Sequence, residues 1–294
     1  MDVFFKIKNS NNKELISFLN QHNLTKNDIL RNSEILEKYL DNYIECIDGT
    51  DFLSCPQLIK GYNWKLTYEN KTIYLELQDC WHQQNLKAFN KIYNNFLICH
   101  FPKSMLSLSI KKDFLLLPND LIRIKIKKYF EEFVQGKHQL GLYIYGAPGI
   151  GKTFISILLA NDLVRNNYKV CFVFVPELMS NLKQAISKNP QSLATDIAKL
   201  QKCDVLFLDD LAGEPVSDWT RDEILFSILN HRMQNNLATF FTSNYGMKDL
   251  QQYYSINFKS KSQDVLKAMR LVERIRYLAK PVLLSSAVQR KYAK

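Results

Sequence analysis

The stretch that most constrains the fold is "GAPGIGKT", residues 146–153, which follows the apolar run "LYIY" and precedes a helical pattern over 152–167. It satisfies the pattern G-x-x-x-x-G-K-[ST] in full. Gly146, Gly149 and Gly151 would allow the backbone to bend so that its N–H groups face an anion, and the helix N-terminus adds partial positive charge. This order of strand, glycine loop and helix predicts an α/β fold with a phosphate-binding loop.

Strand and helix patterns alternate throughout the chain after Pro118. The strand candidates are the segments "LYIYG", "KVCFVFV", "DVLFLDD", "ATFFTSN" and "PVLLS". Helical patterns separate them, which predicts a parallel sheet flanked by helices. Upstream, residues 12–43 show short helical patterns, and residues 62–79 alternate like a hairpin that turns near Asn70. The predicted organisation is a small α+β N-terminal domain at 1–100, a linker at 101–117 and the α/β domain at 118–294.

Charge is distributed unevenly along the chain. Residues 1–105 contain 12 basic and 12 acidic side chains, whereas residues 106–294 contain 27 basic and 17 acidic ones, so the net charge of +10 lies in the second part. An AT-rich genome would explain much of the lysine content, but it would make both parts of the chain basic. The asymmetry favours a polyanionic partner such as nucleic acid.

The sequence also indicates a cellular location. Its apolar runs fall far below the ~18 residues of a membrane span. The N-terminus "MDVFFKIKNSNNK" lacks the basic and apolar regions of a signal peptide. We therefore expect a cytoplasmic protein without a membrane partner, in which the six cysteines are reduced thiols.

Polar residues at the ends of three predicted strands indicate phosphoryl-transfer chemistry. Lys152 would reach the β- and γ-phosphates, and the hydroxyl of Thr153 would bind Mg²⁺. Asp209 would hold the hydrated Mg²⁺ from the end of "DVLFLDD", and Asp210 lies where a residue that polarises water is needed. Asn244 would contact the γ-phosphate or the attacking water. The predicted nucleotide contacts are Gly146, Ala147, Pro148, Gly149, Ile150, Gly151, Lys152, Thr153 and Asp209.

A third feature is the arginine cluster in "AMRLVERIRYLAK". Only nine of the 39 basic residues are arginine, yet three of these nine, Arg270, Arg274 and Arg276, fall within a window of seven residues. Arginine is favoured over lysine where a planar fork must meet phosphate or carboxylate oxygens. The alternative is a basic helix face with salt bridges between residues four apart.

The segments "GAPGIGKT", "LDDLAGEPVSDWTRDEILFSILNHR", "TFFTSN" and "MRLVERIRYLAKP" resemble AAA+ ATPases of the bacterial replicative-helicase loaders. This family comprises the DnaI/DnaC-like primosomal proteins, and the DnaI branch is closest. The resemblance covers about 118–294 well and the N-terminal part loosely. It implies ATP and Mg²⁺ as cofactors, and a AAA+ domain without a full lid domain. It also implies loading of a hexameric helicase onto single-stranded DNA at origins or restart sites, by an array of ATPases that self-associate in the ATP state.

The resemblance assigns three further residues. Arg274 matches the arginine finger, which reaches the γ-phosphate bound by the next subunit. Arg290 matches a second sensor arginine that acts within its own subunit. Lys183 lies on a helix that lines the DNA channel in relatives, where Ile186 replaces a stacking aromatic residue. We expect residues 1–100 to bind the helicase.

The N-terminal cysteines suggest a zinc site. Cys46, Cys55, Cys80 and His82 fall in one small region and offer the thiolate and imidazole ligands that Zn²⁺ prefers. The DnaI branch is expected to bind zinc there, but through a C-x-x-C pair that would begin at Cys46, and position 49 is Gly49. The alternative is buried, reduced cysteines in a metal-free fold.

Two other functions are compatible with the motifs. An IstB-like transposition-helper ATPase shares much of the ATPase core but serves a transposase. The other function is a binding module that uses nucleotide as a conformational switch. Asp210 keeps this function open, because it replaces the usual glutamate and its shorter side chain would position water less well. The cysteine-bearing N-terminal part and the ending "RIRYLAKP" favour the loader.

Overall fold

The computed structural model describes residues 3–45, 55–117, 120–188, 190–256 and 263–285. The chain divides into two compact units, Met1–Asn90 and Lys91–Lys294. The second unit therefore begins before the predicted boundary at residue 100. Within the described ranges, no helix is both long enough and apolar enough to cross a membrane.

The N-terminal unit combines helices with a two-stranded hairpin. Its elements are α1 (Val3–Asn9), α2 (Lys13–Gln21), α3 (Lys26–Arg31), α4 (Ser33–Asn42), β1 (Tyr62–Glu69), β2 (Thr72–Asp79) and the start of α5 (Trp81–Asn95). Asn70 and Lys71 both have positive φ angles, of 50° and 64°, as a tight hairpin turn requires. Leu15, Leu36 and Ile73 are buried in the core of this unit.

The second unit contains a six-stranded parallel sheet. Its strands are β3 (Phe96–Cys99), β4 (Gly141–Tyr145), β5 (Val170–Phe174), β6 (Val205–Leu211), β7 (Ala238–Ser243) and β8 (Ala279–Leu283). Their spatial order is β3-β5-β6-β7-β4-β8. The predicted strands β4 to β8 are confirmed, and β3 was not predicted.

Helices connect these strands. They are α6 (Ile110–Asp113), α7 (Leu121–Val134), α8 (Lys152–Arg165), α9 (Val175–Lys188), α10 (Pro190–Lys202), α11 (Phe226–Gln234), α12 (Met247–Ser255) and α13 (Val265–Leu278). Short 3-10 turns span Lys103–Ser107 and Phe114–Leu116, and a π-helix spans Trp219–Leu225. The inner strands β5 and β6 are nearly continuous runs of buried side chains, as expected for a parallel sheet covered by helices on both faces.

The residues predicted as a linker pack as part of the second unit. Strand β3 pairs in parallel with β5. The ring of Phe101 is buried edge-to-face against Phe96 and Phe172, with centroids 5.4 and 4.9 Å apart. Leu106 is also buried. Strand β3 itself precedes this segment and lies in residues that the prediction placed in the N-terminal domain; its pairing partner is about 70 residues further along the chain.

The strand order determines where the functional side chains meet. Strand β7 lies between β6 and β4, so the three strands that carry the predicted motifs are adjacent. All three run in parallel. Their carboxyl ends therefore form one edge of the sheet, which is where ligands bind in open α/β folds.

Candidate nucleotide site

The glycine loop joins β4 to α8 in a conformation that depends on glycine. Gly146, Gly149 and Gly151 have φ angles of 148°, 78° and 96°. A Cβ on Gly146 would lie 2.3 Å from the carbonyl oxygen of Leu284. Helix α8 begins at Lys152 without a side-chain cap, so its first N–H groups can receive an anion.

The ammonium of Lys152 lies at the centre of the site. It donates to the carbonyl oxygens of Gly146 and Ala147 at 2.9 Å each and to Oδ1 of Asn244 at 2.8 Å. Burial lowers the pKa of Lys152, and the charge of Asp210 opposes that shift. The predicted residues from the loop and from the end of β7 are thus in direct contact.

Asp209 is buried beside the start of α8. Its carboxylate accepts hydrogen bonds from the hydroxyl of Thr153 at 3.1 Å and of Thr242 at 2.6 Å. Burial raises the pKa of Asp209, and the hydrogen bonds from these two threonines oppose the rise. A hydroxyl and a carboxylate side by side form the oxygen donor set that Mg²⁺ prefers, so Thr153 and Asp209 fit this cofactor.

Asp210 adopts an unusual backbone conformation, with φ of 55°. Its N–H donates to the hydroxyl of Thr242 at 2.9 Å, and its Oδ1 accepts from the amide of Asn244 at 3.4 Å. Burial raises the pKa of Asp210, and Lys152 opposes this shift. Non-glycine residues with positive φ concentrate at functional sites, where surrounding contacts maintain them.

Helix α7 supports the loop from outside. Arg123 is 1 % exposed and donates to the carbonyl oxygen of Ile150 at 2.6 Å. Its guanidinium also forms an ion pair with Asp120, the N-cap residue of α7. No local pattern indicates this role, because it depends on a tertiary contact between residues 27 positions apart.

A cleft of about 620 Å³ opens beside the glycine loop. Its lining also includes side chains that were not predicted, from the segment 100–105 and from α8 and β5: His100, Phe101, Pro102, Met105, Ile157, Phe172 and Phe174. An apolar slot of this kind suits an aromatic base. For the lining residues at 100–102, the sequence signal is the apolar run "FLICHF" followed by Pro102.

Arg274 lies on α13 and not in this cleft, whose described lining contains no arginine. It contacts Phe226 and Asn230 of α11. Among the described residues, no ion pair involves Arg270, Arg274 or Arg276. The salt bridges of α13 in this part of the chain are those of Lys267 with Asp264 and Asp222, so the three arginines are not explained by such pairs.

The remaining predicted site residues have different outcomes. Lys183 is exposed on α9, with its ammonium 5.9 Å from the ring centroid of Trp219. Arg290 and Cys46 lie outside the described residues. Cys55 and Cys80 are free thiols. In the described part of the chain, no three His, Cys, Asp or Glu side chains come together to hold a metal, so zinc is not supported there.

Comparison with known proteins assigns the family. The model of the family described as "IstB-like ATP binding protein" matches residues 129–275. The replicative helicase loader DnaI of Bacillus subtilis is 30% identical over 278 residues, which cover 91% of this chain and 88% of that protein. The replicative helicase loader DnaC of Buchnera aphidicola subsp. Schizaphis graminum is 28% identical over 129 residues, or 42% of this chain and 51% of that protein.

Two solved structures agree with this assignment. A crystal structure of DnaI superposes with a TM-score of 0.55 at 37% identity, covering 63% of this chain and 95% of that one. A candidate primosome component from Streptococcus pyogenes serotype M3 superposes with a TM-score of 0.53 at 29% identity, covering 68% of this chain and 98% of that one. The chain therefore belongs to the family of bacterial replicative helicase loaders of the DnaI type, with an ATP-binding P-loop domain of the AAA+ class.

Proposed function

We propose that this protein is an ATPase that loads the hexameric replicative helicase onto single-stranded DNA during replication initiation or restart. The observation that carries the proposal is the similarity to a helicase loader across 91% of the chain, including the N-terminal unit. The contacts among Lys152, Thr153, Asp209 and Asn244 support ATP as the nucleotide that drives it.

The site has a residue for each part of ATP hydrolysis. The N–H groups of the glycine loop and Lys152 would bind the triphosphate, and Thr153 with Asp209 would hold Mg²⁺, which neutralises phosphate charge when bound. Asp210 would orient or deprotonate the water that attacks the γ-phosphorus. The bond between the β–γ bridging oxygen and the γ-phosphorus breaks as the new bond to water forms, which gives ADP and phosphate.

Nucleotide binding would rearrange one contact in particular. Lys152 donates to two loop carbonyls and to Asn244. Phosphate oxygens would compete for these donors, because an ammonium binds an anion more strongly than a neutral carbonyl. Asn244 would then be released toward the γ-phosphate or the attacking water. In this way the end of β7 would sense the nucleotide.

Completion of the site requires a neighbouring copy. The described lining of the cleft contains no arginine, and Arg274 lies elsewhere, on α13. Arg274 of one subunit would reach the γ-phosphate in the next, so ATP would favour self-association. Arg290 would approach the nucleotide of its own subunit. Leu284, six residues before Arg290, supports this, because its N–H donates to the carbonyl oxygen of Tyr145 beside the glycine loop at 2.7 Å.

DNA contact is proposed from charge. Residues 248–294 contain 11 basic and 3 acidic side chains, and Lys183 on α9 is exposed. A segment with this charge would bind nucleic acid mainly through phosphates. Lys183 is the proposed phosphate contact.

The N-terminal unit is proposed to bind the helicase. Of its aromatic residues, Trp64 and Tyr68 pack against the core, whereas Trp81 and Tyr74 are 62 % and 46 % exposed. Exposed aromatic side chains are favoured at protein interfaces. A chain without residues 1–90 that still bound helicase with full affinity would contradict this division of roles.

A transposase-helper ATPase is the second candidate, because the matching family model is IstB-like. That match covers only residues 129–275, within the ATPase unit, whereas the similarity to DnaI extends through most of both units. A transposase partner would leave the N-terminal unit without an assigned role.

The test is the mass of a mixture of this protein and its host's replicative helicase, measured by light scattering with and without ATP. We expect a stable complex of several loaders per helicase hexamer. A Lys152→Ala variant serves as the control for dependence on nucleotide. Two separate species in every nucleotide state would overturn the loader proposal and favour the transposase helper.

A further inference from the structure

Arg274 is held in place by two side chains of helix α11. Its Nε donates to Oδ1 of Asn230 at 3.2 Å, and its guanidinium carbon lies 4.1 Å from the ring centroid of Phe226. Its Nη1 donates to the carbonyl oxygen of Arg270, one turn earlier on α13, at 2.7 Å. Two edges and one face of the guanidinium are therefore in contact with its own subunit.

Helical spacing creates this arrangement. Phe226 and Asn230 are four residues apart on α11, and Arg270 and Arg274 are four residues apart on α13, so each pair shares one helix face. The π-helix Trp219–Leu225 ends immediately before Phe226. A π-helical turn contains more residues than an α-helical turn, which changes the direction of the side chains that follow, and such turns are frequent at functional sites.

Among the described residues of the same unit, three arginines are fully buried. Arg123 supports the glycine loop and its Nε has no hydrogen-bond partner within the described ranges, whereas Arg221 and Arg232 show how an arginine serves the fold alone. Arg221 and Arg232 are fully buried, and every nitrogen of each guanidinium donates a hydrogen bond within the chain. Arg221 is also paired with the carboxylates of Asp218 and Asp222. Both side chains thus use every guanidinium nitrogen to stabilise the fold.

Arg274 differs from Arg221 and Arg232 in its burial and in its hydrogen bonds. It is only half-buried. Within the described residues, its Nη2 makes no hydrogen bond and its charge has no carboxylate partner. The contacts of Arg274 thus fix the plane of the guanidinium but leave one nitrogen and the full positive charge available. An anion brought by another molecule would complete this arrangement.

We infer that Phe226 and Asn230 are positioning residues that hold Arg274 ready for the triphosphate bound by the neighbouring subunit. The inference rests on the proposed function, in which Arg274 acts on the next active site. A flexible arginine side chain would have to be ordered in each catalytic cycle. Holding it in advance removes that cost from the barrier, as preorganised catalytic groups do.

The first test compares steady-state turnover of variants at saturating ATP. Asn230→Ala and Phe226→Leu are each expected to lower kcat by about tenfold to hundredfold, since a misplacement of about 1 Å can have this effect. The affinity of each variant's own site for a fluorescent ADP analogue should stay unchanged. Phe226→Tyr retains the ring and should retain turnover. Asn235→Ala is the matched control, because the Asn235 amide donates to His231 of its own helix.

The second test mixes variants to separate the inference from the proposed function. An Asp209→Asn chain has an impaired site of its own but an intact Arg274, Phe226 and Asn230. In excess, it should restore turnover at the sites of Asn230→Ala, Phe226→Leu and Arg274→Ala chains. Failure to rescue Arg274→Ala would overturn the role of Arg274 in the neighbouring site, and with it that part of the proposed function.

Two other outcomes would overturn the inference alone. In the first, Arg274→Ala is rescued while Asn230→Ala and Phe226→Leu turn over like the wild type. In the second, those two variants are slow but are not rescued by the Asp209→Asn chain, which would show that they act within their own subunit.

Discussion

At the scale of single residues, the hydroxyl of Thr242 connects the two aspartates of the site. It donates to the carboxylate of Asp209 and accepts from the backbone N–H of Asp210. One side chain of β7 therefore fixes both the carboxylate that would hold Mg²⁺ and the backbone of the residue that would act on water.

Gly213 controls the position of the Asp210 side chain. A Cβ on Gly213 would lie 2.4 Å from Oδ2 of Asp210, and its backbone conformation does not itself require glycine. Gly213→Ala should therefore displace the Asp210 carboxylate and lower kcat by about tenfold to hundredfold. The affinity for ADP should remain close to that of the wild type, because the glycine loop is unchanged.

The adjacent residue supplies the matched control for that prediction. Ala212 has a φ of 69°, which glycine adopts more readily than alanine. Ala212→Gly should keep wild-type turnover and change the free energy of unfolding by no more than about 1 kcal/mol. Equal turnover of Gly213→Ala and Ala212→Gly would show that the position of the Asp210 carboxylate does not limit hydrolysis.

Glu214 makes the stability of the protein depend on pH. It is fully buried, its Oε1 accepts from the hydroxyl of Tyr254 at 2.6 Å, and burial raises its pKa from 4.5 to about 7. Between these two values the unfolded chain loses this proton while the folded chain keeps it. The contribution of Glu214 to the free energy of unfolding is therefore present below pH 4.5 and is lost as the pH rises to about 7.

The neutral variant Glu214→Gln tests this dependence. Glutamine still accepts a hydrogen bond from Tyr254 but cannot ionise. Its free energy of unfolding relative to the wild type should increase by about 3 kcal/mol as the pH rises from 4.5 to above 7. Urea denaturation across this pH range measures the difference. Parallel pH profiles for the two proteins would contradict the prediction.

Residues of the site that lie close together along the chain could be predicted from sequence, whereas those that act through distant contacts could not. The loop residues from Gly146 to Thr153 are contiguous, so a local pattern identifies all of them. Asp209 and Asn244 could be predicted because they end apolar strands. The roles of Thr242, Gly213 and Arg123 depend on contacts between distant segments, which one sequence does not reveal.

At the scale of elements, long apolar strands were easier to predict than short ones. Strands β5, β6 and β7 are runs of buried side chains, and they were predicted. Strand β3 has four residues, and helices α5 and α10 have polar exposed faces that resemble loops. The sequence analysis did not predict β3, α5 or α10, because their positions depend on pairing and packing with distant segments.

The strand β3 leads to a prediction about truncation. A fragment that starts at Lys91 should fold with a cooperative thermal transition. A fragment that starts at Phe101 lacks β3, which would expose the edge of β5 and remove the contact of Phe96 with Phe101. Loss of one buried Phe side chain alone costs about 1.5 to 3 kcal/mol, and exposed strand edges promote aggregation.

Calorimetry and light scattering of the two fragments check this prediction. We expect the shorter fragment to have a lower Tm and to aggregate, and the longer one to stay monodisperse without nucleotide. Equal Tm values would mean that β3 contributes little to the second unit. The predicted domain boundary at residue 100 would then be adequate for expression, despite the position of β3 in the sheet.

At the scale of the whole molecule, the separation of charge gives the last prediction. The net charge of +10 lies after residue 105, so single-stranded DNA should bind the second unit, with an affinity that falls as salt increases. Each phosphate contact on a single strand contributes about −0.7 to the slope of log K against log salt concentration. If Lys183 makes one such contact, Lys183→Ala should reduce the magnitude of that slope by about 0.7.

Fluorescence anisotropy of a labelled oligothymidine, at salt concentrations between about 50 and 200 mM, measures the slope. Lys87→Ala is the matched control, because it removes one positive charge from the N-terminal unit, where Lys87 pairs with Asp79 at 2.7 Å. Long-range attraction would weaken in both variants, since both have the same net charge. A smaller slope for Lys183→Ala alone would identify a direct phosphate contact, whereas identical slopes for the two variants would show that Lys183 acts only through the overall charge.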